Sequence, residues 1–270
     1  MTGRDILIYL SLKYKGKWDD IYRAIKRKEA IDDASFNDVM ATLKAETVTI
    51  IDKNYPDHLK QCHKPPFVLY YYGDLTLLEH PHETIAYIGS RKATEYGKKM
   101  TRIIVTDLAK KMIIISGMAK GIDTIAHETA INVKGRTVAV LGSGIDFCYP
   151  RENIELYKLI KSKHLIISEY PNTTEPDHSQ FPLRNRIIAM LAKSIVVGEA
   201  DARSGTLITV SYALSAGKDV CCVPFPADLS SACNSLIKQG AKLVECAKDV
   251  YEEMGIEITE NEFSDLQKYN

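Results

Sequence analysis

From residue 84 onward one pattern recurs: a short apolar run, a turn of glycine, serine or charged residues, and then a helical periodicity. The apolar runs fall at Ile85–Ile88, Ile113–Ile115, Val138–Leu141, Leu165–Ile167, Ile195–Val197, Val220–Val223 and Leu243–Val244. Helical patterns lie between them at Tyr96–Lys111, Ile122–Ile131, Asn153–Ser162, Leu207–Ala216 and Asn234–Gln239. Strands this short and this uniformly apolar must be covered on both faces. Helices placed between them supply both the cover and the crossovers of a parallel sheet. The pattern predicts six or seven strands in an α/β, extended Rossmann-like domain over residues 84–256, mostly parallel, with helices on both faces.

The flanks read differently. Over residues 1–46, Ile6, Leu7, Leu10, Trp18, Ile21, Tyr22, Ile25, Val39 and Leu43 recur at three- and four-residue steps, which predicts a small N-terminal helical domain. Its charges are mixed, so its surface fits either plain solvation or a nucleic-acid contact. Residues 47–83 form a connector expected to pack on the main domain. Its extended pieces, Val48–Ile51 and Phe67–Tyr71, are punctuated by Asn54-Tyr55-Pro56 and Pro65-Pro66, where proline breaks helices. Tyr70, Tyr71 and Tyr72 suit packing of that connector or a base-stacking platform. Residues 257–270 read as a short acidic tail.

Composition excludes several classes. Thirty-five basic residues balance thirty-five acidic ones, so bulk charge draws the chain neither to nucleic acid nor to an anionic membrane, and any polyanion site must be a local patch. Met1–Leu10 has no apolar leader, and no apolar stretch is long enough to span a bilayer. A soluble cytoplasmic protein without membrane insertion is expected. Cys62, Cys148, Cys221, Cys222, Cys233 and Cys246 lack the paired spacings zinc needs and read as reduced, mostly buried thiols. Asp123 and His127 lie four apart with no second cluster, so a helix-capping aspartate and a satisfied histidine are expected, not a metal site. No turn completes a dinucleotide fingerprint or a Gly-Lys-Ser/Thr phosphate loop, and no cofactor is expected.

In a doubly wound sheet, ligands bind beyond the carboxyl ends of the strands. There the sequence places Gly89-Ser90-Arg91, Ser116-Gly117 with Lys120-Gly121, Gly142-Ser143-Gly144, and Ser204-Gly205-Thr206 after Glu199-Ala200-Asp201. Each turn opens a helix, whose free N–H groups and positive dipole end attract phosphate. Any one of these glycines also fits an ordinary tight turn. Phe181, Arg184, Asn185 and Arg186 begin another apolar helix. The two arginines are too close in sequence to share a helix face, so at most one points into a site while the other pairs internally. Phe181 fits base stacking or a hydrophobic staple equally.

The ordered set of turns resembles the DNA-processing protein A family (DprA, also called Smf). The resemblance rests on Gly89-Ser90-Arg91, on Ser116 through Asp123 with His127, and on Gly142-Ser143-Gly144 with Tyr149-Pro150. It continues through Ser168-Glu169-Tyr170-Pro171, Phe181 through Ala189, and Ser204 through Thr209, and covers about residues 47 to 252. It implies a non-enzymatic protein of natural transformation that binds and protects single-stranded DNA, helps load the RecA recombinase and dimerises through the Rossmann-like domain. It also implies a phosphate contact for Arg91 and a base contact for Phe181. His178 stands where relatives commonly carry lysine or arginine, Phe225 where a glycine follows Val223-Pro224, and Ala232-Cys233 where Gly-Thr precedes Asn234. The winged-helix domain of many relatives is not expected here. The rival readings are a nucleoside-monophosphate phosphoribohydrolase and a nucleotide-sensing adaptor. Against the first, Thr209 takes the place of the carboxylate that hydrolysis needs.

Overall fold

The computed structural model describes residues 1–257 apart from 173, 203 and 230. The expected tail falls outside the described residues from 258 onward. Among the described residues nine strands make one sheet: β1 (Glu46–Thr49), β2 (Val68–Gly73), β3 (Thr84–Gly89), β4 (Ile113–Ser116), β5 (Arg136–Gly144), β6 (Leu165–Tyr170), β7 (Ser194–Glu199), β8 (Val220–Cys222) and β9 (Lys242–Leu243). Their order is β1-β2-β6-β5-β4-β3-β7-β8-β9. The seven strands after residue 84 pair in parallel, and the two connector strands are antiparallel, with β2 hydrogen-bonded to β6 in the register Tyr70↔Ser168. The extended pieces of the connector therefore join the sheet itself as its edge.

The helices are α1 (Gly3–Lys13), α2 (Trp18–Lys26), α3 (Asp33–Met40), α4 (Asp57–Lys60), α5 (Glu95–Leu108), α6 (Ile122–Asn132), α7 (Ile154–Lys163), α8 (Gln180–Leu191), α9 (Thr206–Ser215), α10 (Ala232–Lys238) and α11 (Ala247–Glu253). Successive strand residues point to opposite faces. Ile85, Tyr87, Ile114 and Val196 meet Ile104 and Leu108 of α5, Ala126 of α6 and Val250 of α11. Their neighbours Ala86, Ile88, Ile115 and Val197 meet Ile187 and Leu191 of α8, Val210 of α9 and Cys233 of α10. Burying one such Ile or Leu is worth ~1.5–3 kcal/mol, so this alternation holds the three layers together.

The N-terminal helices dock by the same chemistry. Leu7, Ile8 and Leu12 of α1 pack with Val68, Tyr70, Leu141 and Ile166, and the Tyr70 hydroxyl donates to Ser11. The Tyr72 hydroxyl donates to Asp146 while the Lys161 ammonium lies 3.5 Å from its ring centroid. Tyr70 and Tyr72 are thus committed to packing.

β3 marks the topological switch. From it the chain steps outward through β4, β5 and β6, then returns to β7 on the other flank of β3 and steps outward again. A crevice must open beyond the carboxyl ends of β3 and β7, because the loops leaving them diverge. All six cysteines are free thiols. Among the described residues no group of three metal-ligating side chains assembles, and no helix is long and apolar enough to cross a membrane.

Candidate nucleic-acid interface

The crevice is present as a cleft of about 460 Å³. Its lining brings together Gly89, Ser90 and Arg91 after β3, His178, Phe181, Arg184 and Asn185 around the start of α8, and Ser204, Gly205 and Thr206 after β7. A smaller depression of about 90 Å³ shares the wall of Arg91, Phe181 and Arg184 and adds Gly117, Lys120, Gly142, Tyr149 and Pro150. Loops separated by more than a hundred residues of sequence therefore meet at one place.

The floor is rigid. Ser90 N–H donates to the Glu199 carbonyl at 2.7 Å, and the Ser90 hydroxyl accepts from Lys92 N–H at 3.1 Å. The Glu199 carboxylate accepts from the backbone N–H and hydroxyl of Thr94, at 3.0 and 2.8 Å, and Thr94 caps α5 through Gly97 N–H. A Cβ on Gly97 would sit 1.9 Å from Glu199 Oε2, so only glycine lets the helix start approach the strand end. These bonds tie the turn after β3 to the end of β7.

Above that floor, Arg91 is exposed, and its guanidinium lies 5.3 Å from the centroid of Phe181, a cation–π distance. Phe181 is half-buried and also touches Tyr149, with centroids 5.5 Å apart and rings tilted by 40°. Ser204 bonds both the hydroxyl and the N–H of Thr206, forming the N-terminal turn of α9. Gly205, at the cap, has open space where a Cβ would be. His178 is exposed on the approach to α8.

The arginines divide their duties. Arg184 is buried; its guanidinium donates to the carbonyls of Gly117, at 2.6 Å, and Val140, and its Nε donates to Asn185 Oδ1. Burial pulls it down to about 10, so it remains a cation at neutral pH and clamps the loop after β4 to strand β5. Burial likewise pushes the Asp123 carboxyl up, opposed by Arg184 and by N–H donors from Ala119 and Gly117. Arg186 does not reach the cleft. Only 1% exposed, it forms a two-pronged pair with Glu169, at 2.8 and 2.9 Å, and donates to the carbonyls of His63, Lys64 and Leu183.

Two further sequence candidates serve the frame. The Ser116 hydroxyl is buried and donates to the Tyr87 carbonyl. Gly121 adopts φ +80° at the cap of α6, where a Cβ would lie 2.3 Å from the Ser90 carbonyl oxygen; it packs two loops together. Lys120 is exposed beside the smaller depression and pairs with Glu152 at 2.5 Å.

The cleft also contains Lys92, Asp123, Asp201 and Thr209, which sequence reasoning did not place in the site. Lys92 directly follows one turn that was read as a site and Asp201 lies three residues before another, and that nearness in sequence was the available signal. Tyr149 and Pro150 appeared only as part of a motif, and nothing in the sequence shows that they meet Phe181. The departures near the last loop are locally accommodated. Phe225 packs edge-on against Tyr96, and Asn234 bonds both the N–H and the carbonyl of Phe225.

Residues 46–255 match the family model described as DNA recombination-mediator protein A. The chain is 40% identical over 231 residues to the DNA processing protein DprA of Streptococcus pneumoniae, covering 85% of this chain and 80% of that protein. The X-ray structure of DprA from the same organism superposes with a TM-score of 0.79 at 36% identity, covering 96% of this chain and 94% of the other. A DprA structure from Helicobacter pylori, described by its single-stranded DNA binding mode, superposes with a TM-score of 0.70 at 31% identity, covering 78% and 96%. With the family's model spanning most of its length and its turns gathered at one switch point, this chain belongs to the DNA recombination-mediator protein A family.

Proposed function

We propose that the chain binds single-stranded DNA in the cleft beyond β3 and β7, protects it and delivers it to the RecA recombinase during natural transformation. The observation that carries the binding step is the meeting of Arg91, Phe181 and the Ser204–Thr206 helix start in one open crevice. A permanent cation and the positive end of the α9 helix dipole suit phosphate, and an accessible aromatic ring suits an unpaired base. A paired base is stacked inside a duplex and offers no face to Phe181, so the arrangement favours single strands. Arg91, Lys92 and the Ser204–Gly205–Thr206 turn take phosphates, Phe181 takes a base, and Arg184 and Gly121 hold the loops in place. His178 and Asn185 border the strand's path. The RecA step and a homodimer through the Rossmann-like domain are part of the same proposal and are supported by the family resemblance alone.

The test is a salt titration of binding to single- and double-stranded oligonucleotides of one sequence. Single strands are expected to bind more tightly, with Arg91→Ala flattening the logarithmic salt dependence by about 0.7. Equal affinity for duplex, or an unchanged slope in the variant, would overturn the assignment.

A further inference from the structure

We infer, on the single-stranded DNA reading of the cleft, that Tyr149 is a second base-binding ring and takes the nucleotide next to the one on Phe181. Tyr149 stands on the loop after β5 and is 44% exposed. Other tyrosines around that loop spend their hydroxyls on the frame: Tyr157 donates to the Ile145 carbonyl and Tyr72 to Asp146. The Tyr149 hydroxyl bonds to no described residue, and among those residues the one ring that Tyr149 meets is Phe181.

Phe181 is held from several sides. A Cβ on Gly142 would sit 2.7 Å from its Cδ1, and the Arg91 guanidinium lies 5.3 Å from its centroid. Tyr149 meets Phe181 at 5.5 Å with a tilt of 40°, between the offset-parallel and edge-on arrangements that two rings prefer. That pairing alone does not account for leaving so much of an aromatic ring in water. A nucleobase does, because it is flat and stacks on an aromatic ring without needing a matched hydrogen bond. Phe181 lines both the cleft and the smaller depression, and Tyr149 lines the depression, so the two rings lead from the β3–β7 crevice toward β5. Nucleotides of a stacked strand rise about 3.4 Å each, and a strand freed of its complement stretches further. Rings 5.5 Å apart are therefore within reach of consecutive bases.

Fluorescence anisotropy with the full chain, at low salt where phosphate contacts hold either ligand, compares oligo(dT) with an equally long strand whose nucleotides carry no bases. Tyr149→Phe keeps the ring and is expected to keep the oligo(dT) affinity. Tyr149→Leu keeps an apolar side chain without the ring. It is expected to weaken oligo(dT) about tenfold, the worth of one base stacked on an aromatic ring, and to bind the abasic strand as the wild type does. Equal losses on both strands, no loss on either, or a Tyr149→Phe variant as weak as Tyr149→Leu would overturn the inference. The tenfold loss must also persist in a Phe181→Ala background; if it vanishes there, Tyr149 props Phe181 and touches no base. Each of these outcomes leaves strand binding standing, whereas oligo(dT) that does not bind the wild type would remove the parent reading as well.

Discussion

Gly205 has φ −59° and ψ −15°, an ordinary helical conformation, and a Cβ there would meet no atom within 4 Å. Neither backbone strain nor packing calls for glycine at that cap, whereas a ligand that approaches the helix start closely does. Gly205→Ala is therefore expected to leave stability equal or raise it by ~0.4–1 kcal/mol through the unfolded chain, while weakening DNA binding severalfold; paired melting and anisotropy curves separate the two effects. Arg186 is the opposite case. Its charge is buried against Glu169, and removing one partner of such a pair costs ~3–5 kcal/mol. Arg186→Met should lose that much in urea unfolding yet keep its DNA affinity where folded, since its guanidinium faces away from the cleft toward the connector. Sequence spacing already required the two arginines of this segment to diverge. Which one enters the site was not legible, because the choice is made by the distant carbonyls of His63, Lys64, Gly117 and Val140.

At the level of elements, the parallel strands were legible because each is buried on both faces and so appears as an uninterrupted apolar run, as in Ile113–Ile115. β1 and β2 were visible only as extended pieces. Their membership of the sheet depends on pairing with β6, a contact across roughly a hundred residues that no local pattern encodes. The pairing of α6 with β5 carries a pH dependence. His127 of α6 is wholly buried; its Nδ1 lies 2.7 Å from the Thr137 hydroxyl of β5, and its Nε2 has no partner. Burial pulls its pKa from 6.5 to about 3, so the fold holds the neutral ring. The unfolded chain takes up a proton below pH 6.5 and the folded chain does not. This contribution is complete above pH 6.5 and is lost on acidification at up to ~1.4 kcal/mol per pH unit, until pH approaches the folded value. His127→Gln should flatten the unfolding free energy between pH 6.5 and 4 relative to the native chain, as read from urea titrations at each pH; parallel curves would assign the acid sensitivity elsewhere.

For the whole molecule, charge decides how a bound strand would be held. Equal numbers of basic and acidic residues leave no general field to attract a polyanion, so the salt dependence of binding counts the cations of the cleft. Lys120 already faces Glu152, Arg184 is bonded to carbonyls, and Arg186 is committed to Glu169, which among the described residues of the cleft leaves Arg91 and Lys92 for phosphate. At about −0.7 per neutralised phosphate, one chain on a short oligonucleotide should give a logarithmic salt slope near −1.4. If two copies share one strand through a dimer of the Rossmann-like domain, the slope should approach about −2.8 once the oligonucleotide is long enough to reach both clefts. Measuring slope against oligonucleotide length, with sedimentation at the same protein concentrations, therefore reports the number of chains on the strand as well as the cations used. A slope steeper than about −3 on the shortest oligonucleotide that binds would require phosphate contacts outside the cleft, and the mixed-charge N-terminal helices would be the first place to look for them.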